Sequence, residues 1–188
     1  MTALATHEPQ TRAGSAGDGT GLSTDLSALS LRTAFSHFPS GVVALAGVAG
    51  GVKEGLVASS FTVGVSLDPP LVSFAVQNTS RTWPRLRRAE RIGVSVLAEG
   101  HTSVCRQMAS KDGDRFAGLD LRITEDGAVL LEDAALWLET SVYAELPAGD
   151  HHVVLLEVHG VSDQSRDHEP LVFHRSAFRN LRTAEGNQ

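Results

Sequence analysis

Hydrophobic and polar positions change their periodicity once, early in the chain. Before that point Leu31, Ala34, Phe35 and Phe38 follow the helical i, i+3, i+4, i+7 spacing, behind a candidate N-cap at Asp25. The pattern predicts one amphipathic helix, which ends at the Pro-Ser-Gly run that follows it.

After this helix, short β-branched and apolar runs alternate with turn residues, which is typical of a sheet protein. The predicted strands cover residues 42–48, 52–61, 71–77, 92–97, 119–124, 135–145, 151–161 and 171–175. Gly50-Gly51 marks a hairpin turn. Two short helices are also predicted: one over 83–86, capped by Thr82, and one over 102–109. Seven or eight such strands suggest a closed or nearly closed antiparallel barrel, whose mouth would supply a ligand cleft.

Length and composition favour one soluble domain. The chain has 188 residues, of which 41% are hydrophobic, and it contains no apolar run of the ~18 residues that a membrane span requires. Residues 1–25 are poor in large apolar side chains, so they are predicted to form a disordered tail. The domain is expected over 26–183, and residues 184–188 are expected to be a short flexible C-terminus.

Charge and cysteine content exclude several classes of function. Sixteen basic and 22 acidic residues give a net charge of −6, which disfavours a nucleic-acid partner. Cys105 is the only cysteine, so no intrachain disulfide and no multi-cysteine metal site can form, and a cytoplasmic location is expected. His151 and His152 are adjacent in a predicted strand and point to opposite faces, so no metal site is predicted there.

Common catalytic signatures are absent, and three segments carry the remaining signal. No G-x-S-x-G elbow, phosphate-binding P-loop or H-E-x-x-H pair occurs. Segment 55–61 (GLVASSF) places hydroxyls at a strand end. Segment 77–82 (QNTSRT) leads into the start of a helix, which suits an anion. Segment 148–151 (AGDH) presents a histidine after a tight turn. Ordinary turn and capping chemistry, and a structural histidine, are the competing interpretations.

Five segments, taken in order, resemble the short-chain flavin reductase family. They are FPSGVV at 38–43, GLVASSF at 55–61, SLDPPLV at 66–72, KDGDRF at 111–116 and GDH at 149–151. The similarity covers roughly residues 31–181. It implies a mainly β, antiparallel split β-barrel of Greek-key type with a few short helices, assembled as a homodimer.

The resemblance also implies roles for individual residues. A first group would line the flavin ring and its ribityl chain: Val57, Ala58, Ser59, Ser60, Ala75, Val76, Gln77 and Asn78. A second group would hold the flavin phosphate: Ser80, Thr82, Arg81 and Lys111. His151 would lie near the nicotinamide as the catalytic candidate. A last group would lie by the dinucleotide, in a stretch where the family more often has glycine and tyrosine: Phe173, His174, Arg175 and Ser176.

The implied activity is hydride transfer from NADH or NADPH to FMN or FAD. The reduced flavin would then be supplied to a partner, the oxygenase component of a two-component flavin-dependent monooxygenase. Such a reaction needs no protein nucleophile, because the cofactors carry the chemistry and the protein orients them. Two other functions fit the residues: a non-enzymatic barrel that binds or senses flavin, and a structural dimerisation barrel that binds none.

Overall fold

The computed structural model describes residues 21–163 and 168–181. Residues 1–20 of the predicted tail, the first two residues of the predicted turn at 166–170, and the predicted C-terminus at 184–188 lie outside the described residues. The described chain up to His37 is a unit of its own, and a second unit begins at Phe38.

Helix α1, Ala28–Phe35, is the helix of the first unit. It begins three residues before the predicted apolar run, because the hydroxyl of Ser27 accepts a hydrogen bond from the Ser30 N–H at 3.3 Å. The predicted cap, Asp25, is wrong as a cap: its Oδ1 accepts from the N–H of Ser27, one step before the helix.

The second unit is built from twelve strands and two α-helices in the described residues. The strands are β1 Ser40–Gly41, β2 Val43–Ala49, β3 Val52–Ala58, β4 Thr62–Leu67, β5 Pro70–Gln77, β6 Ile92–Val96, β7 Leu121–Ile123, β8 Val129–Leu131, β9 Leu136–Ala148, β10 His151–Asp163, β11 Val172–His174 and β12 Ala177–Arg179; the helices are α2 Trp83–Leu86 and α3 Thr102–Ala109, the latter preceded by a 3-10 turn at Glu99–His101. Both helices and the Gly50-Gly51 hairpin confirm the sequence predictions.

All strand pairs are antiparallel, as predicted. Seven strands form the main sheet in the order β3-β2-β6-β9-β10-β5-β4, while β1, β11 and β12 form a second sheet and β7 pairs with β8. The long β9–β10 hairpin turns at Gly149, whose φ of 64° is readily adopted only by glycine. Non-sequential neighbours such as β2, β6 and β9 show the crossing connections of a Greek-key barrel rather than a simple meander.

Strand β2 has core on both of its faces. Val43 and Leu45 belong to one apolar cluster with Phe74, while Ala44 and Ala46 belong to another, which packs under α3. Because side chains alternate between faces, a strand buried on both sides is continuously apolar, and this is why β2 was recognisable in the sequence. The two clusters therefore pack on opposite faces of β2, and the second joins this strand to α3 through Cys105 and Met108.

The predicted strand 52–61 is too long by three residues, and β4, which begins at Thr62 just after it, was not predicted. β3 ends at Ala58, and the chain then crosses over to pair with β5 as β4. Ser60 makes this change of partner possible, because its Oγ donates to the C=O of Ala75 and accepts from the Ala75 N–H, both at 3.0 Å. The Ser60 hydroxyl thus replaces the pair of backbone hydrogen bonds that a neighbouring strand would make to Ala75.

Among the described residues, no helix has the combination of length and apolar character needed to cross a bilayer.

Candidate functional site

A cavity of about 980 Å³ opens where β3, β5, α2 and α3 end. Twelve of the residues predicted to form the site line it: Val57, Ala58, Ser59, Ser60, Ala75, Val76, Gln77, Ser80, Arg81, Thr82, Lys111 and His151. Its size lies at the upper end of the range for small-molecule sites, about 300 to 1,000 Å³. The structure therefore brings together most of the three segments that the sequence singled out.

The segment between β5 and α2 is arranged differently from the prediction. Thr82 stands at the N-cap position, but its side chain makes no capping hydrogen bond. Ser80 caps the helix instead: its Oγ accepts from the Trp83 N–H at 3.2 Å, and its own N–H donates to Gln77. Since α2 is a single turn and the N–H of Trp83 already has a partner, anion recognition here depends on cationic side chains rather than on the helix terminus.

Four cationic side chains line the cavity: Arg81, Arg85, Lys111 and Arg115. Within the described part of the chain, no carboxylate lines it. This balance is the reverse of the whole chain, whose net charge is −6. One of the four is paired, because Glu54 accepts a hydrogen bond from Nε of Arg85 at 2.5 Å and raises the pKa of that guanidinium. A cavity with this charge is suited to an anionic ligand.

Arg115 ties three walls of the cavity together. Its Nη1 donates to the C=O of Gly55 on β3 at 2.8 Å and to the Oγ1 of Thr82 at 2.7 Å. Its Nε donates to the C=O of Ser110, just after α3, at 2.9 Å. The side chain is only partly exposed, so these bonds are shielded from full competition with water.

The β9–β10 turn delivers His151 to the edge of the cavity. Nδ1 of His151 lies 2.7 Å from Oδ1 of Asp150, and 34% of the histidine side chain is exposed. Asn78 fastens this turn to the end of β5, since its Nδ2 donates to Gly149 and its N–H donates to the C=O of Asp150. Asn78, which was predicted to bind ligand, lies outside the cavity lining and holds the turn.

The other predicted residues that do not line the main cavity are on the β11–β12 hairpin. Phe173 lines a separate apolar hollow of about 160 Å³, which shares Val57, Ala58 and Ser59 with the main cavity. His174 ends β11, and Arg175 and Ser176 form the turn, with φ angles of 52° and 58°.

Cys105 also lines this hollow, and burial raises the pKa of its thiol above the ordinary value. In the described residues no group of histidine, cysteine, aspartate and glutamate side chains is arranged to hold a metal ion.

Six cavity residues were not predicted: Leu56, Thr79, Arg85, Met108, Ala109 and Arg115. Arg85 lies in the predicted helix 83–86, for which only the cap Thr82 was given a role. Arg115 lies in the KDGDRF segment, where only Lys111 was given a role. Met108 and Ala109 lie at the end of a correctly predicted helix. The hydrophobic periodicity that predicts the helix does not show which of its ends packs against strands that are distant in sequence and so lines the cavity.

Comparison with known proteins gives consistent results. A family model described as flavin reductase like domain matches residues 35–182. A flavin reductase of Pseudomonas putida is 34% identical over 148 residues, which cover 78% of this chain and 86% of that protein. The reductase subunit HsaB of a flavin-dependent monooxygenase from Rhodococcus jostii is 33% identical over 162 residues, which cover 86% of this chain and 82% of that protein.

Solved structures show the same fold. Nitrilotriacetate monooxygenase component B from Mycobacterium thermoresistibile superposes with a TM-score of 0.79 at 30% identity, covering 85% of this chain and 89% of that one. The NADH:FAD oxidoreductase SgcE6 of Streptomyces globisporus, solved with NAD and FAD fragments, gives a TM-score of 0.76 at 33% identity, covering 85% and 94%.

Proposed function

Because this chain belongs to the flavin reductase-like domain family, we infer that it is an NAD(P)H-dependent flavin reductase. It transfers hydride from NADH or NADPH to FMN or FAD and supplies the reduced flavin to a partner monooxygenase. Relatives that are reductase subunits of such monooxygenases, and one solved with NAD and FAD fragments, support both the reaction and the partner.

The single observation that carries this proposal is the composition of the 980 Å³ cavity. Its lining combines the apolar side chains of Leu56, Val57 and Met108 with the four cations and several hydroxyls. A flavin likewise combines a flat ring with an anionic phosphate. The residues present therefore fit the group that the family uses.

The strand edges add hydrogen-bonding groups for the ring. β3 is the outermost strand of the main sheet, so within the described parts of the chain its outer peptide groups have no strand partner. Arg115 reaches the C=O of Gly55 from this side, and alternate residues of a strand point their peptide groups the same way, so Val57 presents its N–H and C=O here as well. An N–H in this position stabilises negative charge on a reduced ring.

We assign the predicted residues accordingly. Val57 to Ser60 and Ala75 to Gln77 contact the ring and ribityl chain, while Ser80, Thr82, Arg81 and Lys111 hold the phosphate. His151 lies beside the nicotinamide, and the hairpin residues Phe173, His174, Arg175 and Ser176 lie by the dinucleotide. The shared wall of the apolar hollow and the main cavity supports this last assignment, since it brings Phe173 next to the Val57–Ser59 strand.

The protein's contribution to the reaction is orientation and exclusion of water. When bound, nicotinamide and flavin would themselves supply the hydride chemistry, so the protein needs no nucleophile. Holding two reactants in a productive geometry lowers a barrier by up to about 7 to 11 kcal/mol, without an acid or base. A rigid site between strand ends, fastened by Ser60 and Arg115, is built to do this.

Oxidation of nicotinamide by the purified protein tests the proposal. NADH or NADPH is mixed with protein and FMN, FAD or no flavin, and we expect flavin-dependent loss of nicotinamide absorbance for at least one combination. No flavin-dependent loss with any combination would overturn the proposal. Flavin binding without oxidation would favour the non-enzymatic barrel, and unchanged flavin fluorescence on titration would favour the structural barrel.

We also propose that the protein is a homodimer. β4 is the last strand of the main sheet, and it exposes Val63 (61%), Val65 (42%) and Leu67 (88%). An apolar edge strand without a partner is a natural dimer surface. Light scattering is expected to give twice the mass of the chain, with Val63→Lys shifting it toward the monomer; a wild-type monomer at micromolar concentration contradicts this.

Residues 26–183 are proposed as the functional domain, which the family match to residues 35–182 supports. The reaction is proposed to take place in the cytoplasm, where the single buried thiol stays reduced. Fractionation of the native cells tests the location: activity in the soluble cytoplasmic fraction is expected, and activity outside it would contradict the assignment.

A further inference from the structure

Arg115 binds three neutral acceptors, and this leaves its charge available. The two carbonyl groups and the Thr82 hydroxyl carry no formal charge. Arg85, on the same cavity, contrasts with it because Glu54 neutralises its guanidinium. The guanidinium of Arg115 is partly buried and has no carboxylate partner, whereas that of Arg85 is exposed and paired with Glu54. Arg115 therefore attracts an anionic ligand more strongly than Arg85 does.

The Thr82 hydroxyl is polarised by this contact. Its oxygen accepts a hydrogen bond from Nη1 of Arg115 at 2.7 Å, so its hydrogen must point elsewhere. Thr82 is 6% exposed, it lines the cavity, and among the described residues its hydroxyl hydrogen meets no acceptor. A nearly buried O–H donor without an acceptor costs free energy unless a ligand receives it.

The sequence order of these groups also matters. Thr82 follows Arg81 directly, and Lys111 follows Ser110, whose C=O binds Nε of Arg115. One side chain therefore sets the spacing between the two segments that contribute phosphate-binding residues.

We propose that Arg115 is a positioning residue that holds the Thr82 hydroxyl as a donor to the flavin phosphate and fixes Lys111 on the other side of that phosphate. This rests on the proposed function and deepens it, because Arg115 had no assigned role. The phosphate, not the ring, is the group that Arg115 serves.

Affinity for FMN compared with riboflavin tests the proposal, since riboflavin lacks the phosphate. Flavin fluorescence titration gives the dissociation constants for the wild type, Arg115→Gln, Thr82→Val and the double variant. We expect Arg115→Gln to weaken FMN binding about 10- to 100-fold and to change riboflavin binding less than about 3-fold. Thr82→Val should cost far less in the Arg115→Gln background than alone, because the two residues act as one unit.

Control variants separate this role from a structural one. Arg122→Gln removes an arginine that pairs with Glu132 away from the cavity, and it should leave both affinities unchanged. Thr82→Ser keeps the hydroxyl and should retain FMN affinity, where Thr82→Val loses it. Arg115→Lys keeps the charge but not the fork of donors, so its FMN affinity should be intermediate.

Equal weakening of FMN and riboflavin, or additive effects of the two substitutions, would overturn the proposal while leaving flavin binding itself intact. Should Arg115→Gln fail to fold in a thermal unfolding measurement, the comparison of Thr82→Ser with Thr82→Val decides in its place. Equal FMN affinity in those two variants overturns the proposal. Failure of the wild type to bind either flavin would overturn the proposed function as well.

Discussion

Oδ1 of Asp150, in the β9–β10 turn, lies 2.7 Å from Nδ1 of His151, the first residue of β10, which lines the cavity. A carboxylate accepts hydrogen bonds, so this contact favours the tautomer with a hydrogen on Nδ1 and leaves the Nε2 lone pair free. Asp150 is 92% exposed at its side chain, so the contact adds little stability. Its consequence is the orientation of the ring.

We expect His151→Ala to slow hydride transfer more than it weakens flavin binding. The imidazole lies at the cavity edge, where the nicotinamide is proposed to stack, and contributes orientation rather than flavin contact. Rapid-mixing measurement of flavin reduction should show a rate about 10- to 100-fold lower, with a nearly unchanged flavin dissociation constant.

The matched control is His152→Ala. Adjacent strand residues face opposite sides, and His152 does not line the cavity, so its replacement should leave the rate unchanged. Full activity of His151→Ala would remove this residue from the mechanism.

Gly93→Ala should strongly destabilise the protein. A Cβ on Gly93 would lie 2.3 Å from the carbonyl oxygen of Val129, a backbone atom that cannot swing aside. We expect a loss of about 3 kcal/mol in the free energy of unfolding, measured by urea denaturation.

Gly100→Ala is the control, because none of the described residues has an atom within 4 Å of its Cβ position. Its free energy of unfolding should change by less than about 0.5 kcal/mol. Equal stability of the two variants would contradict the close packing of β6 against β8.

Stability should fall as the pH drops below about 6.5, the ordinary pKa of histidine, through His101. Burial lowers the pKa of His101 in the folded protein, although the nearby Asp133 carboxylate acts in the opposite direction. Nδ1 of His101 accepts a hydrogen bond from the Ala98 N–H at 3.2 Å, and protonation removes that acceptor.

His101 therefore binds a proton more tightly in the unfolded chain than in the folded protein, so acid favours unfolding. Above about pH 6.5 the contribution of His101 to the free energy of unfolding is constant. His101→Gln, which keeps an acceptor but does not titrate, should flatten the pH dependence of the melting temperature between about pH 5 and 7. Identical profiles for the variant and the wild type would contradict this.

Particular residues show how far the sequence alone could reach. β2, β5, α2 and α3 were predicted because continuous apolar runs and proline at a first helical turn are local signals. Strands β1, β4, β8 and β12 were missed, although β7 and β11, which are as short as β8 and β12, fall within predicted strands. Pairing with a partner strand, more than length or composition, decides whether such a segment becomes a strand.

The residues of the candidate site were also predictable only where the signal was local in the sequence. Segments 55–61 and 77–82 were identified because hydroxyls and a cation follow apolar strands. Arg115 was not, because its role depends on reaching Gly55 and Thr82, which are 60 and 33 positions away in the chain. Local pattern shows which segments carry polar groups, but only the fold shows which arginine joins them.

Lys111→Ala should weaken FMN binding several-fold at low ionic strength, and the difference from wild type should shrink as salt is added. Lys111 lines the cavity and is exposed, so its attraction for a phosphate is screened over about 10 Å at 0.1 M salt. Titrations at two salt concentrations measure this.

Lys53→Ala is the matched control, because Lys53 lies over the ring of Phe116 and not at the cavity. Its FMN affinity should match the wild type at both salt concentrations. A Lys111 effect independent of salt would indicate a structural role instead.

A crystal structure of the protein soaked with flavin and NAD tests the account most directly. It should show the ring against Val57 to Ser60, the phosphate between Thr82 and Lys111, and the nicotinamide beside His151. A flavin bound elsewhere, with the cationic cavity empty, would contradict it.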